Sequence, residues 1–110
     1  MREHLTHFDI AGFTYYEGVL AFNELKIGVQ LQVKLEEDNK YDSRAVAIYY
    51  NDFKLGFVPR SENRIIYKLL KVGIDCMEVR IQRVDEKENP ENQIGVVIHL
   101  VKTEKETTEE

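Results

Sequence analysis

Tyr41 and Asp42 sit at the tip of a polar stretch, Asp38-Asn39-Lys40-Tyr41-Asp42-Ser43-Arg44, that runs into the strand-like Ala45-Val46-Ala47-Ile48. Asp38, Asn39 and Asp42 are turn formers whose short side chains bond their own backbone. The ring of Tyr41 has no apolar neighbour in sequence and is flanked by two carboxylates and two cations. Loops held by a rigid scaffold are where binding residues concentrate. A second aromatic group, Phe13-Thr14-Tyr15-Tyr16, lies between Gly12 and Gly18. In extended backbone Tyr15 and Tyr16 point to opposite sides, so one ring can plug the core while the other faces out as a stacking platform. Arg60 follows Pro59 where a strand hands over to a helix, and with Arg64, Lys68 and Lys71 it makes a cationic stripe.

Each of these features also has a bland explanation. Most aromatic rings are packing, so Tyr41 can equally anchor its loop. Asp42 alone reads as an Asx-turn former. A charged helix stripe is ordinarily a solvated face. Gly12, Gly18 and Gly56 can simply serve backbone geometry.

The elements that must position these residues are short strands. A chain of 110 residues supports one hydrophobic core. Residues 1–7 show no clear pattern and read as a lead-in. Phe8-Asp9-Ile10 alternates as a first strand, and Val19 to Lys26 is a helical turn or an irregular connection. Gln30 to Glu36 is the clearest strand, with Leu31, Val33 and Leu35 on one face. Arg44 to Tyr50 and Phe53 to Val58 form a hairpin about Asn51-Asp52, with Gly56 marking a bulge or a close approach. Ser61 reads as an N-cap of a helix over 61–71 that buries Ile65, Ile66, Leu69 and Leu70 and stops at Gly73. Met77 to Gln82 and Gly95 to Val101 are the last strands, joined by a charged loop from Asp85 to Asn92. The tail 102–110 has no apolar residue and reads as disordered. The resulting expectation is a mainly-β chain: a small OB-like or SH3-like antiparallel barrel of five to six strands with one main helix around 61–71.

Charge neither suggests nor excludes nucleic acid. The net −5 is carried by the Asp85–Asn92 segment and the tail, leaving a neutral body of 12 basic and 12 acidic residues. The chain is 43% apolar and has no run near the roughly 20 residues of a membrane span. Met1 to His7 contains no apolar signal region. Cys76 is the sole cysteine, which excludes an internal disulfide and favours a cytoplasmic setting.

Chemistry beyond binding finds little support. No glycine-rich phosphate loop or dinucleotide fingerprint is present. His4, His7, His99 and Cys76 do not make a zinc-ligand pattern, so no metal is expected. Ser43 adjoins Asp42 but has no histidine base assigned to it, so neither an enzyme nor a small-molecule substrate is expected. No cofactor is expected either.

Three blocks, in order, resemble the HIRAN domain family. They are Ala11-Gly12-Phe13-Thr14-Tyr15-Tyr16-Glu17-Gly18, Glu37 to Ile48, and Leu55-Gly56-Phe57-Val58-Pro59-Arg60. The second block is the most specific. The resemblance covers roughly residues 8–101 as a single domain and is that of a stand-alone, bacterial-type member. It implies an OB-like barrel with helical insertions. It also implies a module for DNA repair that binds single-stranded DNA at a free 3′ end, with a helicase or nuclease as partner protein. By that resemblance Tyr15 and Tyr41 stack on the terminal bases, Asp42 accepts a hydrogen bond from the 3′-hydroxyl, and Arg60 meets a phosphate. Thr14 and Phe57 stand where DNA-binding relatives carry an arginine and a histidine. Tyr16 and Lys68 complete the candidate nucleic-acid-binding set. The alternative is a non-catalytic protein-interaction module that keeps the fold and binds DNA weakly or not at all.

Overall fold

A computed structural model describes residues 1–89 and 92–102. The strands are β1 (Arg2–Asp9), β2 (Gln30–Leu35), β3 (Val46–Tyr50), β4 (Phe53–Phe57), β5 (Met77–Val84) and β6 (Ile94–Val101). The helices are α1 (Gly18–Ala21) and α2 (Asn63–Lys71). Every pairing is antiparallel, and the strand order is β1-β6-β5-β2-β3-β4.

β2 forms the corner of this sheet. Its first residues, Gln30 and Leu31, pair with β5, whereas Gln32 to Leu35 pair with β3. Its alternation follows the sequence pattern, with Leu31 buried and Gln30, Gln32 and Lys34 exposed. The expected barrel does not close. Its two end strands meet only through an isolated bridge between Ala11, just past β1, and Phe57, the last residue of β4. Each donates its N–H to the other's carbonyl at 2.9 Å. Gly56 permits this contact. Its φ is 149°, and a Cβ there would lie 2.3 Å from the Ala11 carbonyl oxygen.

The first strand is longer than expected. β1 begins at Arg2, so most of the supposed lead-in belongs to the sheet. A bulge between His4 and Thr6 breaks the alternation, and the polar Thr6 occupies a buried position. Its hydroxyl donates to Glu62 Oε1 at 2.6 Å. No period-2 apolar signal survives that combination.

α2 lies against β2 and β3 through Asn63, Ile66, Tyr67 and Leu70, at spacings of three, four and seven residues. Ile65 is exposed rather than buried. Ser61 is not the cap; Glu62 holds that position without a side-chain capping bond, and a turn from Pro59 to Glu62 precedes it. At the other end Ile74 N–H donates to Leu69 O and Gly73 N–H to Leu70 O, the paired bonds of a Schellman stop. One core unites the sheet, α2 and the Phe13 segment, with Ile10, Phe13, Val46, Ile48, Leu55, Ile66, Ile81 and Ile98 among its buried members. The expected disordered tail, apart from Lys102, lies outside the described residues, as do Pro90 and Glu91 of the charged loop.

Candidate functional site

Asn39 organises the turn before β3. Its Oδ1 accepts the backbone N–H groups of Tyr41 and Asp42 at 2.8 and 2.9 Å, while its Nδ2 donates to Glu36 Oε1 at 2.9 Å. Glu36 in turn accepts from Lys54 Nζ at 2.6 Å. Burial raises the Glu36 carboxyl, but the bonds from Lys54 and Asn39 and the charge of Lys54 outweigh it and leave its pKa lowered. Burial likewise works against the Lys54 ammonium, yet its bond to Glu36 and the Glu36 charge leave its pKa raised. An ion pair on the sheet thus braces the asparagine that shapes the turn.

Asp42 is fixed from three directions. Its Oδ1 accepts the Arg44 N–H at 2.9 Å, and its Oδ2 accepts from Asn63 Nδ2 at 2.9 Å and lies 3.7 Å from Arg60 Nε. Asn63 is 4% exposed and also donates to the Arg44 carbonyl at 3.0 Å. A carboxylate offers about four lone-pair sites. Capacity therefore remains for one more donor. Arg60 Nη2 donates to the Tyr41 carbonyl at 2.6 Å, and the arginine side chain stays 72% exposed, with guanidinium donors to spare.

Gly12, in a left-handed conformation, opens a 3-10 turn over Phe13–Tyr15. The tyrosines therefore do not alternate as in a strand. Phe13 goes to the core, Tyr15 projects with 84% of its surface exposed, and Tyr16 rests edge-on against Phe57 at 5.5 Å between ring centroids. Lys54 Nζ lies over both of those rings, 4.7 Å from Tyr16 and 4.6 Å from Phe57.

These groups share one open groove of about 250 Å³. Tyr15, Tyr16, Tyr41, Asp42, Phe57 and Arg60 all line it, with Ala11, Gly12, Asn39, Ala45, Val58 and Pro59 completing its walls. Tyr41 is 85% exposed, so it stands over the groove rather than anchoring its loop in the core. Two sequence candidates lie elsewhere. Thr14 is exposed outside the groove, and Lys68 lines a separate hollow on α2. Sequence reasoning missed Asn63. The available signal was a polar residue three and seven positions before the apolar Ile66 and Leu70, on the helix face that must point inward.

Fold and groove together define a small mainly-β domain with a preorganised surface site of exposed rings and one fixed carboxylate. Residues 4–101 match the HIRAN domain, and the chain belongs to that family. A crystal structure of a protein from Lactobacillus plantarum superposes with a TM-score of 0.77 at 19% identity, covering 91% of this chain and 95% of that one. The crystal structure of the HIRAN domain of human HLTF superposes with a TM-score of 0.60 at 13% identity, covering 97% of this chain and 80% of that one. Comparison with curated protein sequences finds no match.

Proposed function

We propose that this domain binds single-stranded DNA at a free 3′-hydroxyl end. The observation that carries the reading is the convergence of Tyr15, Tyr41, Asp42 and Arg60 on one exposed groove. The two exposed rings offer faces for the terminal bases, each stack contributing about 1–3 kcal/mol whatever the base. The Arg60 guanidinium, as a planar fork, suits a phosphate. Asp42 sets the choice of end. A carboxylate repels phosphate, but its unused lone pair accepts a hydroxyl proton. A terminal hydroxyl therefore fits where a continuing strand or a 3′-phosphate does not.

Fluorescence anisotropy with matched 3′-hydroxyl and 3′-phosphate oligonucleotides tests this. The hydroxyl end binds more tightly, and Asp42→Ala removes the difference. Tyr41→Ala weakens both by roughly ten-fold or more, the loss of one stack. Equal affinity for the two ends in the unmodified protein would eliminate end recognition.

A second reading rests on the same groove. Arg60 is the only cation lining it among the described residues, and it is already engaged with Asp42 and the Tyr41 carbonyl. A non-catalytic protein-interaction module needs no further phosphate contacts. A complex with a partner protein that survives nuclease treatment, with no oligonucleotide binding at low salt, would favour it.

A further inference from the structure

Some cations of this domain are already matched to carboxylates. Arg2 and Arg80 pair with Glu78, Lys54 with Glu36, Lys71 with Glu37, and Arg83 with Asp9. Arg64 and Lys68 are among the cations without such a match, and they share one hollow. Both are exposed, and neither has an ion pair or a side-chain hydrogen bond among the described residues. They stand four residues apart on α2, which puts them on one face about 6 Å apart along the axis. That step is of the order of the phosphate spacing in an extended single strand.

The two side chains line a shallow hollow of about 250 Å³ with Ser61, Glu62 and Ile65. Ser61 directly follows Arg60, so the hollow begins where the groove's own cation ends. Glu62 is the single acid there, and its Oε1 accepts the Thr6 hydroxyl. Ile65 is 46% exposed, though it lies at the start of a helix whose other face is packed. An exposed aliphatic side chain between two unpaired cations suits a sugar–phosphate chain: charge for the phosphates, an apolar surface for the sugar between them.

We propose that this hollow on α2 is a phosphodiester-binding subsite. It holds the nucleic-acid strand that leads away from the end seated in the groove, and it rests on the reading of that groove given above. The subsite supplies phosphate contacts from the helix, where the groove itself offers only Arg60.

The test compares binding of short and long 3′-hydroxyl oligonucleotides, about 3 and about 10 nucleotides, to the full chain by anisotropy over a salt series. The unmodified protein binds the longer strand more tightly. In the double variant R64A/K68A the longer strand weakens roughly ten-fold at low salt, and its salt slope falls by about 0.7 for each phosphate that no longer meets a cation. Binding of the short strand and the preference for a 3′-hydroxyl stay unchanged, and a thermal melt confirms the fold. If the double variant matches the unmodified protein on the long strand while Asp42→Ala still abolishes end preference, the subsite is wrong and the groove reading stands. If no oligonucleotide binds at all, both fall.

Discussion

Asn63 determines more than its single position suggests. It is the buried donor between the turn and α2, holding the carboxylate of Asp42 and the carbonyl of Arg44 at once. A carboxylate that rotated freely would offer its lone pairs to solvent in many directions. Held between Asn63 and the Arg44 N–H, it presents the remaining capacity in one. Asn63→Ala leaves a carbonyl and a carboxylate oxygen without their donor, at a cost of about 1–3 kcal/mol. Urea titration reads that loss. The more specific outcome is in binding: the ratio of 3′-hydroxyl to 3′-phosphate affinity drops toward one while stacking on Tyr15 and Tyr41 persists. A variant that merely softened the fold would weaken both ends equally. At this scale the sequence disclosed the groups proposed to touch a ligand and concealed the group that fixes Asp42 among them. Tyr41 and Asp42 stand out because they break the composition of their surroundings. Asn63 looks like any polar residue at a helix start, and only the packing of α2 reveals that it faces inward.

Among elements, legibility followed the strength of the alternation. β2 alternates and the β3–β4 hairpin breaks at Asn51-Asp52, and they lie where their residues indicate. β1 is bulged and buries a threonine, so its polar half carried no strand signal. The 3-10 turn at Tyr15 reversed an expectation built on extended backbone. Both rings reach the groove because of it. The Glu36–Lys54 pair joins β4 to the turn and has its own pH signature. The Glu36 pKa is lowered, so its contribution is present above about pH 4.5 and is lost as pH falls through the folded value. The Lys54 pKa is raised, so its contribution is present below about pH 10.5 and is lost as pH rises through the folded value. Stability therefore has a plateau between those limits, and Glu36→Gln lowers the plateau and flattens both edges. Denaturation midpoints across pH measure this. Identical pH profiles for the two proteins would show that the pair contributes nothing. Because Glu36 also accepts from Asn39, the acid edge should loosen the turn before it unfolds the sheet.

For the molecule as a whole, the sequence supports a mainly-β domain, while the manner in which its sheet ends was hidden. A barrel and an open, curled sheet use the same strands and the same alternation. What separates them is whether the last two edges pair along their length, and that depends on one close approach. Gly56 makes it possible, with a backbone angle of 149° and the Ala11 carbonyl where a Cβ would stand. Gly56→Ala therefore destabilises the domain by at least about 2 kcal/mol, combining strain and overlap. The measurement is a urea midpoint. A near-neutral result would mean that the two sheet ends can separate without cost to the rest.

The Ala11–Phe57 bridge has one further consequence. The groove's walls come from opposite ends of the sheet: Tyr15 follows the β1 side, and Arg60 follows the β4 side. Two backbone bonds are the seam between them. A ligand that touches both walls acts as a staple across that seam, doing from outside what a sixth strand pairing would do from within. Its affinity is then also a mechanical quantity. Whatever free energy it gains by spanning the walls reappears as added resistance to unfolding, because a ligand bound only to the closed form shifts the folding equilibrium by mass action.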